Sequence, residues 1–283
     1  MTSNNDVKGA VRQHYAAVVR TGSSCCGPAT SGCCSPAAPA QIAQTVGYAP
    51  SDLHAVPDGA NLGLGCGNPL ALADLKPGDV VVDLGSGAGF DAFLAAPRVG
   101  AQGRVIGVDM TPEMIDRARS LAAREGVTNV EFRLGEIEAL PVADGAADMV
   151  ISNCVINLSP DKPRAFAEAL RVLKPGGRLM VSDLVLRHCL PEAVQRSVSA
   201  YVGCISGAWL LDDYVAAISA AGFEDVQVLA EATYPASGSN PDDSDLALLD
   251  VPDLSLAELR AAADAVVSAQ ISARKPSLAK AHP

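Results

Sequence analysis

VVVDLGSGAGFD, residues 80–91, is the stretch from which the fold is read. An apolar, β-branched run ends in Asp83 and passes directly into Gly85, Ser86, Gly87 and Gly89 before helix-forming sequence resumes. Glycine tolerates the backbone angles of a tight turn and lets backbone N–H groups come close to a ligand. The next apolar run, RVIGVDM (104–110), ends in Asp109, where a carboxylate can accept both hydroxyls of a ribose. Phe90 stands where a dinucleotide fingerprint has its third glycine, and no Gly-Lys-Ser/Thr follows as a phosphate loop requires. The turn is therefore read as a nucleoside site that does not hold a pyrophosphate.

Working outward, short apolar runs alternate with amphipathic helical sequence. NVEFRLGE (129–136), ADMVISNCVI (147–156) and GGRLMVSDLVL (176–186) read as strands, with helices over TPEMIDRARSLAAREG (111–126) and DKPRAFAEALRVL (161–173). Thr111 before Pro112 predicts a helix start with a hydroxyl cap. This alternation predicts an α/β protein with a doubly wound, mostly parallel sheet and right-handed crossovers. FEDVQVLAEATY (223–234) and VVSAQISARKP (266–276) read as final strands, and residues 188–222 read as a helical cap. Val7, Val11, Tyr15 and Val18 share one face of a lead-in helix. The expected organisation is an N-terminal helical and loop region (1–74), a nucleoside-binding core (75–187), and a cap with closing strands (188–283).

With 21 Lys and Arg against 32 Asp and Glu, a formal net charge of −11, the chain is not built to neutralise a nucleic-acid backbone. The opening MTSNNDVKGAVRQ has no apolar signal core and no run of apolar residues is long enough to span a bilayer, so no membrane partner and a cytoplasmic location are expected. Eight cysteines in such a setting point to binding or redox chemistry more than to a static disulfide framework. The four histidines, His14, His54, His188 and His282, show no ligand spacing.

Cys66 lies in the glycine-rich NLGLGCGNPL, Cys154 follows the fourth strand in MVISNCVIN, and Cys204 lies in YVGCISGAW. Ligands of an open α/β sheet bind beyond the carboxyl ends of its strands, so Cys154 is expected beside the nucleoside site. Three thiols there would make a soft ligand set for a thiophilic ion. Cys25, Cys26, Cys33 and Cys34 form two adjacent pairs in a Gly-, Ser- and Pro-rich loop, without the C-x₂₋₄-C spacing of a structural zinc site. They are candidates for a thiol relay.

The DLGSGAG turn with an acid ending the second strand resembles class I S-adenosylmethionine-dependent methyltransferases. That resemblance implies the Rossmann-like class I sheet. It assigns Asp83 and the turn Gly85, Ser86, Gly87 and Gly89 to the methionine part of the cofactor. Asp109 then takes the ribose, Met110 the adenine face, Glu136 and Ile137 the adenine edge, and Asn153 the neighbourhood of the sulfonium. Residues 152–155 read Ser-Asn-Cys-Val, not the Asn/Asp-Pro-Pro-aromatic motif of many amino methyltransferases. The segments around Cys66, Cys154 and Cys204, with SCCGP (24–28) and ISARKP (271–276), further resemble the bacterial arsenite S-adenosylmethionine methyltransferases. The resemblance implies that Cys66, Cys154 and Cys204 bind trivalent arsenic. It also implies that arsenite and methylarsenite are taken as thiol adducts, and that a thioredoxin- or glutathione-type reductant serves turnover.

Trivalent arsenic prefers three thiolates in a pyramid and keeps a lone pair at the open apex, which can act as nucleophile. Topology places Cys154 and Cys204 nearest the cofactor and makes Cys66 the position expected to be dispensable for methylarsenite. Two alternatives stand beside this reading. A carbon methyltransferase acting on a quinone or other apolar acceptor leaves the three cysteines unexplained. A non-catalytic thiol-based arsenic or mercury buffer does not need the cofactor turn.

Overall fold

The computed structural model describes residues 4–21, 39–195, 197, 200–201, 203–233 and 256–277. The quoted turn joins β1 (Val80–Leu84) to α4 (Phe90–Val99), after the lead-in helices α1 (Asn4–Thr21), α2 (Pro39–Thr45) and α3 (Pro50–His54). Then follow β2 (Arg104–Asp109), α5 (Pro112–Glu125), β3 (Val130–Leu134) and β4 (Ala147–Asn153). A short 3-10 turn (Ile156–Leu158), α6 (Lys162–Val172) and β5 (Leu173–Leu186) complete the core. Beyond it lie α7 (Glu192–Gln195), α8 (Leu211–Ala220), β6 (Glu224–Thr233), α9 (Leu256–Ala265) and β7 (Val266–Arg274).

The seven strands lie in the order β3-β2-β1-β4-β5-β7-β6. The first five pair in parallel, whereas β7 runs antiparallel between β5 and β6. Two apolar clusters cover the sheet. One packs Phe166, Tyr214 and Ile218 against Val82, Val150 and Val181, and the other packs Phe93, Leu94, Ile115 and Leu121 against Val81, Val105 and Met149. Alternate residues of a strand face opposite sides, so continuous apolar runs such as Val81–Val82 feed both clusters. β1 and β4 lie next to each other at the point where the strand order reverses. That reversal opens the crevice in which ligands of such sheets bind.

Three local expectations need correction. Thr111 stands at the N-cap of α5 with extended backbone, but its hydroxyl makes no capping bond. Its backbone N–H is held by Asp109 Oδ1 at 2.8 Å instead. The strand expected from Gly176 begins already at Leu173, because Ala147 of β4 pairs with it. The expected cap over 188–222 is not continuous helix, and Cys204 sits in a turn at φ 66°. Gly207 explains the break, since a Cβ there would collide with the Asn157 carbonyl. The chain must come backbone to backbone onto the 3-10 turn, and a helix with side chains cannot do so.

Candidate active site

One cavity opens over the carboxyl ends of β1, β2 and β4. Its lining includes Asp83, Gly85, Ser86, Gly87, Asp109, Met110, Ile137, Asn153 and Cys154. The glycine turn is shaped by sterics. Gly85, Gly87 and Gly89 have φ of 63°, 52° and 94°, a region that L side chains rarely adopt. A Cβ on Gly85 would drive into Val155, and one on Gly89 would meet Phe132 and Phe93. Gly89 caps α4 and is not part of the lining. Across the cavity Asp109 Oδ2 accepts the Gly87 N–H at 3.0 Å, tying the turn to the second strand.

The cavity is strongly acidic. Asp83 is buried, and its Oδ2 has no hydrogen-bond partner among the described residues; burial, with Asp91 and Asp109 nearby, pushes its carboxyl well above the usual range. Burial also raises Asp91, although bonds from Tyr48 and Asn153 pull it back. Asp109 is raised by burial and lowered by the N–H groups of Thr111 and Gly87. Buried carboxylates whose mutual repulsion is not compensated call for a cationic ligand. S-adenosylmethionine, with an ammonium, a sulfonium and a ribose, fits this donor set and the room over the glycines.

The adenine-edge expectation divides. Ile137 lines the cavity, whereas Glu136 does not and pairs with Lys8 of α1 at 2.7 Å. Glu138 lines the wall instead; it takes the same ammonium at 3.1 Å and accepts the Ser159 hydroxyl at 2.6 Å. Lys8, Val11 and Tyr15, one face of α1, close the cavity from above. Sequence reading also missed Tyr48 and Asp91, bonded to each other at 2.6 Å. Asp91 directly follows the glycine turn and carried a signal in its position; Tyr48, distant in sequence, carried none.

The three cysteines of the sequence reading lie in one neighbourhood, but the group whose ligand atoms come within 4.8 Å of one another is Cys66, Cys154 and Asp183, without Cys204. Cys66, Cys154 and Cys204 share one apolar cluster with Leu158, Leu184 and Leu190, and all three are buried. Cys66 and Cys154 are joined as a disulfide with Cα atoms 5.6 Å apart. Cys204 is a free thiol and donates to the Cys154 carbonyl at 2.9 Å. Of the three only Cys154 lines the cavity. Burial, with Asp183 close by, pushes the Cys204 thiol up, while a bond from Tyr15 opposes this.

Asn153 links the two halves. Its Nδ2 donates to Tyr48 Oη, Asp91 Oδ2 and the Gly67 carbonyl, while its Oδ1 accepts the Cys66 N–H at 3.1 Å. The glycines beside Cys66 are required by space: a Cβ on Gly65 would meet Asn153, and one on Gly67 would meet Ser182. Ser268 of β7 holds the Cys66 carbonyl at 2.6 Å. The loop is thus pinned by residues of β4 and β7. Below it Asp183 accepts from Tyr214 and Asn157, and burial lifts it to about 7. Lys162, buried over the Trp209 ring at 5.0 Å, is lowered by burial to about 8. Cys25, Cys26, Cys33 and Cys34 lie outside the described residues.

The strand order, the glycine cradle and the acid ending the second strand define a class I methyltransferase, and the model of a methyltransferase domain family matches residues 75–233. The chain is 51% identical over 224 residues to an arsenite methyltransferase of Halobacterium salinarum, covering 77% of this chain and 57% of that protein. A second, from Aquipseudomonas alcaligenes, is 37% identical over 230 residues, 78% of this chain and 63% of that one. The crystal structure of an arsenic(III) S-adenosylmethionine methyltransferase from Chlamydomonas reinhardtii superposes with a TM-score of 0.62 at 32% identity, covering 87% of this chain and 76% of that chain. The chain belongs to the arsenite methyltransferase family. It spans somewhat over half the length of the curated relatives it matches, 57% and 63%. No helix among the described residues is long and apolar enough to cross a membrane.

Proposed function

We propose that this chain transfers a methyl group from S-adenosylmethionine to trivalent arsenic held by Cys66, Cys154 and Cys204, acting on arsenite and methylarsenite as thiol adducts in arsenic detoxification. The observation that supports this reading is that Cys66, Cys154 and Cys204, distant in sequence, share one buried apolar cluster of which Cys154 lines the cavity. The bound cofactor supplies a methyl group activated by a positive sulfur. Asp109 would hold the ribose, Asp83 and Asp91 the cationic end, and the turn Gly85–Gly89 the space between. Asn153 aligns the two halves, because it bonds the Cys66 loop with one end and the Tyr48–Asp91 pair with the other.

Arsenite loads by exchanging three hydroxides for three thiolates, releasing three waters as the thiols give up their protons. The Cys66–Cys154 disulfide must first be opened by two electrons from a thiol reductant of thioredoxin or glutathione type, which leaves as its own disulfide. Arsenic then presents its lone pair toward the cavity, and the protein's task is alignment, a contribution on the order of 7–11 kcal/mol. Methylation raises arsenic formally to the pentavalent state. Departure of two thiolates as a cysteine disulfide returns it to the trivalent state, and the reductant closes the cycle. Cys25, Cys26, Cys33 and Cys34 would relay thiols in that exchange. An acidic chain with this chemistry takes no nucleic acid and works in the reducing cytoplasm.

Product analysis after incubation with arsenite, S-adenosylmethionine and a thiol tests the reading. Methylated arsenicals are the expected result. Methylation of a quinone precursor with arsenite left unchanged would favour the carbon methyltransferase. Arsenite binding without cofactor binding would favour the buffer.

A further inference from the structure

A buried carboxylate stands beside two of the three thiols. The sulfurs of Cys66 and Cys154 and an oxygen of Asp183 lie within 4.8 Å of one another, and all three residues are buried. Sulfur and oxygen ligands of a tetrahedral zinc centre are about 3.5–4 Å apart, so a small closing movement brings this group to coordination distance. Asp183 is already held for such a role. Its Oδ1 accepts from Asn157 Nδ2 at 2.9 Å and from the Leu184 N–H at 3.0 Å, and its Oδ2 accepts the Tyr214 hydroxyl at 2.9 Å. A carboxylate has about four lone-pair positions, which leaves one on Oδ2. Donors of this kind orient metal-binding carboxylates. Asn157 Oδ1, on the side chain that bonds Asp183, is a buried acceptor with no partner among the described residues. Cys204 stands outside the group, its S–H directed to the Cys154 carbonyl at 2.9 Å.

We propose that Cys66 and Cys154, once reduced, form with Asp183 a two-sulfur, one-oxygen site for a divalent thiophilic cation of the zinc and cadmium class, which excludes arsenite by taking two of its thiolates. Such cations accept thiolate and carboxylate together and leave a fourth position to water. Trivalent arsenic prefers three thiolates and has no need of the carboxylate. Opening the disulfide takes two electrons and two protons from a reductant. Loading the cation returns the two thiol protons to solvent, with that of Asp183 where the carboxyl carries one. The site does not depend on Cys204 being an arsenic ligand.

Cd²⁺ is the probe, because thiolate-to-cadmium charge transfer absorbs in the ultraviolet in proportion to the thiolates bound. The full chain carries Cys25, Cys26, Cys33, Cys34 and Cys189 replaced by Ser, so its thiols are Cys66, Cys154 and Cys204. It is reduced with a phosphine, which leaves as its oxide. One Cd²⁺ should bind with the absorbance of two thiolates, and none should bind before reduction. Cys66→Ser and Cys154→Ser should each lose the site. Asp183→Asn keeps an acceptor for Asn157 and Leu184 and turns an amide toward Tyr214. Its Cd²⁺ affinity should fall about tenfold or more, while arsenite affinity stays within about twofold, as for independent sites. Tyr214→Phe keeps the carboxylate, removes one of its donors and should weaken Cd²⁺ by about tenfold. Cys204→Ser should leave Cd²⁺ binding unchanged and weaken arsenite. Wild-type Cd²⁺ affinity in both Asp183→Asn and Tyr214→Phe would overturn the proposal. So would equal losses of Cd²⁺ and arsenite in Asp183→Asn, which mark a structural role, or loss of Cd²⁺ in Cys204→Ser, which marks a three-cysteine site. Wild-type arsenite affinity in Cys204→Ser would instead overturn the arsenic reading and leave the cation site standing.

Discussion

Replacing Asp109 by Ala should cost most of the cofactor affinity and little else. A carboxylate offers about four lone-pair positions. In the structure Oδ2 accepts the Gly87 N–H at 3.0 Å and Oδ1 the Thr111 N–H at 2.8 Å. The residue lines the cavity, where its carboxylate can accept the two hydroxyls of a ribose. Hydrogen bonds to a charged group contribute about 1.5–3 kcal/mol each, so losing two weakens binding by roughly 3–6 kcal/mol, on the order of 10²–10⁴-fold. Stability should change less, because Asp109 is half-buried and water can reach the two N–H groups it leaves. Titration calorimetry with S-adenosylmethionine, beside arsenite binding in the presence of a thiol, checks both statements. Burial raises the Asp109 carboxyl, so wild-type affinity should fall as pH drops through a value above the ordinary carboxylate range. Asp109→Asn should lose that component of the pH profile. Wild-type cofactor affinity in Asp109→Ala would refute the assignment.

Each of Cys66→Ser, Cys154→Ser and Cys204→Ser should abolish arsenite methylation while cofactor binding persists, because serine is a hard, protonated ligand; only Cys66→Ser should retain methylarsenite methylation, and product speciation of the three variants decides. Replacing Cys25, Cys26, Cys33 and Cys34 together by Ser should slow repeated turnover more than a single transfer from thiol-bound methylarsenite; unchanged steady-state rates at limiting reductant would make the four thiols spectators. Gly85→Ala forces a left-handed residue, costing roughly 1–2 kcal/mol, and adds the collision with Val155, so thermal melting should fall together with cofactor affinity. Asp183, lifted by burial to about 7, binds protons in the folded state that the unfolded chain has released, so its contribution to stability is lost as pH rises from about 4 toward 7. Asp183→Asn should flatten that decline in denaturant titrations, and an unchanged slope would count against the shift.

The local sequence determined the sheet and the cofactor turn. Apolar runs of strand length, the glycines from Gly85 to Gly89 and the acid at Asp109 each carry their meaning within a few residues, because backbone sterics and strand periodicity are local. That Cys154 lines the cavity at the carboxyl end of β4 was legible too, since it follows from where strands end. Other features depended on packing across the chain. Cys204 reads as helical until Gly207 is seen against Asn157, and Glu138, not its neighbour Glu136, faces the cavity. Lys8 and Tyr15 reach the site from α1, and Tyr48 from the loop between α2 and α3, segments whose sequence says nothing about what lies beneath them. The bonding of Cys66 to Cys154, and the hold of Asn153 and Ser268 on the Cys66 loop, join residues far apart in the sequence. Such contacts arise only when the sheet brings its strand ends together. Residue type can therefore nominate a thiol site, while tertiary packing alone decides which thiols meet and what holds them.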